Sequence, residues 1–199
     1  MDSERTFACK PFDGLAFSGP HQAGLKVHID GARLWNAAVS LGVSGAALAG
    51  AADSVSFCLS KGLSCPVGSL LCGSAEFVAV ARERRRLVGG ALRQSGVLAA
   101  CGLVALDTMI ERLAEDHAHA RRLAIGLAEL DCLELDPATV ETNIVWFRCD
   151  DADWPARCQA AGLRLVSLGG GRCRMVTHAG VGPAEVEQAL AIAAQAAKR

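Results

Sequence analysis

Short apolar runs of strand length alternate with helix-like stretches along this chain, and that alternation limits the fold more than any other feature. Residues 25–29 read as a short strand with Asp30 at its carboxyl end. Residues 34–41 have helical character and stop at Gly42, and residues 44–52 suit another short helix. Residues 54–59 are apolar and partly β-branched, the signature of a buried strand, and residues 68–72 suit a further strand. Residues 75–87 read as a helix ending near Gly89-Gly90. Strands alternating with helices predict a layered α/β fold with a largely parallel sheet.

Further along, residues 95–105 are small and apolar, suited to close helix packing. From Leu106, apolar residues recur at Met109, Ile110, Leu113, Leu123, Leu127 and Leu130, which predicts one long amphipathic helix. The pattern then changes to a strand over 143–148, a helix over 154–161 and a strand over 163–167. A turn at Gly169-Gly170-Gly171 and a strand over 173–177 follow. The last helix opens at Pro183, with Val186, Ala189, Leu190 and Ala193 on one stripe. These features predict a small α/β unit of its own over residues 106–199, after a part over residues 1–105 whose first 20 or so residues are irregular.

The 199 residues are 51% hydrophobic with a net charge of −1. That excludes global disorder and argues against nucleic acid as a partner, because phosphate binding needs a basic surplus. Nine cysteines are scattered without a C-x-x-C pair. Small buried apolar residues in a reducing compartment are the expectation, with no metal site and no disulfide framework. The start lacks the apolar core of a signal peptide, and no stretch is long enough to span a membrane, which makes the cytosol the default.

Two residues carry the chemical signal. Lys61 follows the apolar run and lies in Ser60-Lys61-Gly62-Leu63-Ser64-Cys65-Pro66. A lysine there, cupped by small residues, suits a Schiff base to an aldehyde cofactor. A solvated lysine at a strand end fits the local pattern equally well. Asp30 ends the preceding strand, where a carboxylate suits a cofactor's ring nitrogen; the competing role is a helix N-cap. Both would stand at carboxyl ends of parallel strands, where ligands bind in open α/β sheets. The pair points to pyridoxal phosphate, an electron sink for carbanions. Arg33, one helical turn after Asp30, and Arg174 are candidates for gripping a substrate carboxylate. Arg93, after paired glycines, could reach a phosphate, whereas the run Arg82 to Arg86 reads as a solvated helix face. His21, His117, His119 and His178 receive no role.

The blocks HIDGARLWNAAV, SFCLSKGLSCPVGSLLCG, RRRLVGGALRQSGVLAACGLVAL and RMVTHAGV occur in this order. With them the chain resembles the low-specificity L-threonine aldolases of the aromatic amino acid β-eliminating lyase/threonine aldolase family. The resemblance covers roughly residues 22 to 190. It implies an α/β fold of the type I pyridoxal-enzyme class, the aspartate aminotransferase architecture, with a truncated large domain and a small carboxyl-terminal α/β domain. It implies pyridoxal 5′-phosphate held by Lys61 and Asp30, with Arg93 and Arg86 reaching the cofactor phosphate of a neighbouring subunit. Arg33 and Arg174 would take the substrate carboxylate, and no metal is involved. The implied reaction is cleavage of L-threonine or L-allo-threonine to glycine and acetaldehyde, in a dimer of dimers. The family's chain also carries a Gly-Thr phosphate cradle and a histidine stacked on the cofactor ring. Residues 1 to about 20 do not resemble that part. The alternative expectation is therefore a catalytically silent homologue or interaction subunit.

Overall fold

The computed structural model describes residues 15–198. The chain divides into two compact units between Arg112 and Leu113.

The first unit contains α1 (Leu15–Gln22), β1 (His28–Asp30), α2 (Leu34–Leu41), α3 (Gly45–Ala49), β2 (Ser54–Cys58), β3 (Ser69–Gly73), α4 (Ala75–Leu87) and α5 (Gly96–Thr108). Its sheet has the order β1-β2-β3. β1 and β2 are parallel, with His28 opposite Ser54 and Asp30 opposite Ser56. The crossover between them is α2 and α3. Helix α2 ends because Gly42 takes the left-handed conformation (φ 66°), which frees its N–H to close the last turn. Ser44 opens α3 by accepting a hydrogen bond from the Ala47 N–H at 3.1 Å. Leu34 and Ala38 of α2 and Val55 and Phe57 of β2 are buried, and the Trp35 ring meets Phe57 edge-on at 5.5 Å.

The second unit contains α6 (Leu113–Leu127), β4 (Leu133–Glu134), β5 (Ile144–Cys149), α7 (Trp154–Ala160), β6 (Val166–Ser167), β7 (Arg172–Val176) and α8 (Pro183–Ala197). Its sheet has the order β4-β5-β7-β6, with every neighbouring pair antiparallel. Period two sorts its strands: Val145, Phe147, Cys173 and Met175 are buried in a core with Leu123, Leu127, Trp154 and Val186. Trp154 is fully buried; its Nε1–H donates to the Ala193 carbonyl of α8 at 3.1 Å, and its ring packs edge-on to Phe147. Arg157 of α7 donates from Nε to the Ala196 carbonyl at 2.8 Å and pairs with Asp151 at 2.6 Å. Helices α6 and α8 come so close that a Cβ at Gly126 would stand 2.6 Å from a Leu190 methyl.

Three expectations are corrected. The irregular start is helical over Leu15–Gln22; the rest of that start lies outside the described residues. Gly24 (φ 71°) closes this helix, with the Leu25 N–H bonded to the Pro20 carbonyl at 2.9 Å, so the Pro and Gly signals mark a helix end. The long helix from Leu106 is two helices, α5 and α6, broken at Met109–Arg112. At the break Thr108 Oγ1 turns back to the Val104 carbonyl at 2.8 Å, a local bond that competes with helix continuation. The sheet is also not largely parallel, since β1–β2 is the single parallel pair among those described. β3 returns antiparallel because the ten residues between β2 and β3 are too few for a crossover.

The small residues of α5 are not tightly packed either: Gly102 and Ala105 are buried, but Val97, Leu103 and Val104 are exposed. Helix α4 has no buried residue, and all five residues of β3 are exposed. The eight described cysteines are free, and Cys72 on β3 is exposed rather than buried. No helix among the described residues is long and apolar enough to cross a membrane. Those residues also hold no cluster of three or more His, Cys, Asp or Glu suited to a metal.

Candidate active site

Asp30 is the last residue of β1, and Lys61 lies three residues past the end of the adjacent parallel strand β2. Parallel pairing sets both at the carboxyl end of the pair. The N-cap of α2 is Arg33, without a side-chain cap, so Asp30 is not spent on capping. The Asp30 side chain is exposed, with no hydrogen bond or ion pair among the described residues. Gly31 crosses tightly against β2: its N–H donates to the Ser56 carbonyl at 2.8 Å, and a Cβ there would lie 3.0 Å from that oxygen. The glycine after the acid is thus required by the backbone crossing.

Period two gives Asp30 a shared face with His28, and the parallel register adds Ser54 and Ser56. His28 Nδ1 is 2.8 Å from Ser54 Oγ, and its Nε2 is 3.4 Å from Ser56 Oγ. The acid therefore stands on a polar face of imidazole and hydroxyl groups. Reading the run of residues 54–59 as uniformly apolar hides this; alternation of Ser54, Ser56 and Cys58 was the available signal.

Lys61 is exposed, contrary to the dry setting its neighbours suggest. The residues of the loop that go inward are Leu59, Gly62, Leu63 and Cys65. Hydrogen bonds from the Leu59 N–H to the Gly68 carbonyl (2.9 Å) and from the Cys65 N–H to the Leu59 carbonyl (3.0 Å) close the loop. The turn Lys61–Ser64 is held by a 2.9 Å bond from the Ser64 N–H, and Ser64 takes a positive φ of 59°, a conformation costly for serine. The lysine is thus anchored through its backbone.

Arg33 is half-buried. Arg86 is exposed near the end of α4, and Arg93 is exposed after Gly89 (φ 76°) and Gly90. Arg174 belongs to the second unit, in β7, half-buried, with its Cζ 5.5 Å from the Trp146 ring centroid. An open groove of about 580 Å³ in that unit is lined by Arg164, Val166, Arg174, His178 and Glu185 among others. The first unit thus brings Asp30, Lys61, Arg33, Arg86 and Arg93 into one compact body; Arg174 is in the other.

Asp53, just before β2, joins a further polar cluster. Lys26 Nζ (2.8 Å), the Val27 N–H (2.8 Å) and His21 Nε2 (3.0 Å) surround its carboxylate. The Lys26 bond first, then the Val27 N–H and His21, hold its carboxyl well below the usual carboxylate range. This cluster ties the segment after α1 to the start of β2.

The donor set suits pyridoxal phosphate: an unspent acid for a pyridine nitrogen, a loop-anchored amine for an aldehyde and exposed guanidinium groups for a phosphate. Comparison with known proteins gives the same direction. Residues 19–150 match the Beta-eliminating lyase family, and the chain belongs to that family. It is 43% identical over 173 residues to an Arabidopsis thaliana protein named "Probable low-specificity L-threonine aldolase 2", covering 84% of this chain and 49% of that one. Among solved structures it is similar to one from Exiguobacterium sp. 255-15, assigned as an aromatic amino acid beta-eliminating lyase/threonine aldolase. The TM-score is 0.77 at 21% identity, over 92% of this chain and 56% of that one. A structure from Listeria monocytogenes EGD-E, assigned as an L-allo-threonine aldolase, gives 0.76 at 21% identity, over 93% and 55%. These likenesses establish the fold as the expected type I architecture in part. The chain spans about half the length of the curated relatives it matches.

Proposed function

We propose that this chain carries the lysine-and-acid portion of a pyridoxal phosphate-dependent carbon–carbon lyase acting on β-hydroxy-α-amino acids, L-threonine and L-allo-threonine first. The observation that carries the reading is the placement of Asp30 and the Lys61 loop at the carboxyl ends of the parallel strands β1 and β2. When bound, the cofactor supplies a sink for the electron pair released at Cα as the Cα–Cβ bond breaks. Asp30 holds a proton at the pyridine nitrogen by supplying a negative charge beside it. Lys61 would hold the cofactor through its aldehyde carbon. Arg93 and Arg86 would neutralise the cofactor phosphate of a neighbouring subunit. Arg33 and Arg174 grip the substrate carboxylate, which orients the bond to be broken. Glycine and acetaldehyde are the products from threonine. Assembly as a dimer of dimers, a cytoplasmic location and a role in threonine breakdown and glycine supply complete this reading.

The full exposure of β3 and the absence of any buried residue in α4 favour a second reading. In it the chain is catalytically silent by itself and acts as an interaction subunit.

Borohydride reduction after incubation with pyridoxal phosphate, followed by peptide mapping, tests the first reading. The label is expected on the peptide bearing Lys61 and lost in Lys61→Ala. The parent is expected to release glycine and acetaldehyde from L-allo-threonine. Label on another lysine sinks the site assignment; label on Lys61 without aldehyde release selects the silent homologue.

A further inference from the structure

Arg174 differs from the paired arginines of its unit. Arg122 is paired with Glu187 at 2.8 Å, Arg148 with Glu134 at 3.4 Å and Arg157 with Asp151 at 2.6 Å. Arg174 has no acid partner among the described residues, and its Nε is shut off from solvent without a hydrogen-bond partner. A guanidinium N–H so placed lacks an acceptor, at a cost the fold must offset elsewhere. The surroundings supply that offset. Arg174 sits on β7 directly opposite Trp146 of β5 and directly opposite Val166 of β6. Directly opposed residues share a face of the sheet, so the arginine is flanked by an indole on one side and an isopropyl group on the other. Its Cζ lies 5.5 Å from the indole centroid, within range of a cation–π interaction. Trp146 itself is 47% exposed, unusual for the largest side chain in a strand whose alternate residues build the core.

From this geometry we infer that Trp146 is a positioning residue: its ring lies against the Arg174 guanidinium, with Nε closed off from solvent, so that the terminal N–H groups stay turned to receive a carboxylate. The inference rests on the proposed carboxylate role of Arg174 and adds the group that makes that role possible. The indole keeps the cation in place without offering it an acceptor, which an acidic neighbour would do at the expense of the incoming ligand. It also removes rotamer freedom from a long side chain before the ligand arrives. A neighbour of this kind must be aromatic but need not be indole, so phenylalanine should serve in part.

Side-chain NMR of the arginine Nε–Hε groups in the intact chain tests the inference, with glycine as the carboxylate probe. In the parent, the Arg174 side-chain protons are expected to be shifted upfield by the ring, and the Nε–Hε signal to exchange slowly with water and to move saturably with glycine. Trp146→Ala is expected to abolish the ring shift, speed exchange and raise the glycine midpoint about three- to tenfold. Trp146→Phe is expected to restore most of all three, which a loss of general fold integrity would not allow. An Arg174 signal unchanged in Trp146→Ala, or equal glycine midpoints in parent and Trp146→Ala, overturns the inference. A parent in which the ring shift is present but glycine moves nothing overturns the carboxylate role beneath it; the intact ring shift tells the two failures apart.

Discussion

At the scale of single residues, Gly31 makes the most exposed claim. A methyl there would press on the Ser56 carbonyl at 3.0 Å, and backbone cannot swing aside as a flexible side chain can. Gly31→Ala should cost about 1–3 kcal/mol in urea unfolding, the usual range for overpacking, and should disturb Asp30 beside it. The buried thiols make a second claim. Burial pushes Cys149 and Cys158 up to about 11 from an ordinary 9.0, so both stay neutral in the folded state well past the point where the unfolded chain ionises. The folded thiols are raised, so their contribution is complete below pH 9 and is lost as pH climbs through 11. The urea midpoint should fall across that window, and fall less in Cys158→Ala. Asp30 and Lys61 were both legible in the sequence as residues ending apolar runs. Whether Asp30 caps a helix was not legible, because cap and site use the same residue type; the structure gives the N-cap to Arg33. The exposure of Lys61 was not legible either, since the inward residues of its loop are fixed by tertiary contacts.

Among the elements, α7 and α8 are joined by two side chains that reach the last turns of α8, Trp154 to Ala193 and Arg157 to Ala196. Carbonyls at a helix end lack intrahelical partners, and Arg157 takes that place for Ala196. Trp154→Phe keeps most of the apolar contact but removes the N–H, and should lower stability by about 1 kcal/mol in urea unfolding. Helix α4 and the bounds of α2 follow from sequence because caps and glycines mark them: Ser74 accepts from the Phe77 N–H at 3.2 Å, and Gly42 stops α2. The break between α5 and α6 escaped because apolar spacing continues across it, and periodicity does not register a side chain that bonds its own backbone, as Thr108 does. Strand direction escaped for a similar reason: an apolar run looks the same whichever way its neighbour travels.

For the molecule as a whole, the outer layer of the first unit decides behaviour in solution. β3 is an edge strand with Leu70 and Leu71 exposed, and α4 and α5 add Phe77, Val80, Leu87, Leu103 and Val104. An apolar edge of this kind invites pairing between copies. Leu71→Lys should therefore raise the protein concentration at which light scattering begins, without shifting the urea midpoint by more than about 0.5 kcal/mol, because surface changes away from packed features cost little. The α/β class of the fold was readable from alternating runs, but the exposure of this layer was not, since α5 looks like a buried helix in composition. The first sheet also contains a difference in timing. β2 meets β3 across a short loop, whereas β1 meets β2 only after the chain between His28 and Ser54, a separation of 26 residues, has been drawn in. Nearby partners find one another sooner than distant ones. The hairpin bearing Lys61 is therefore expected to form before β1 docks and brings Asp30 to the same end of the parallel pair.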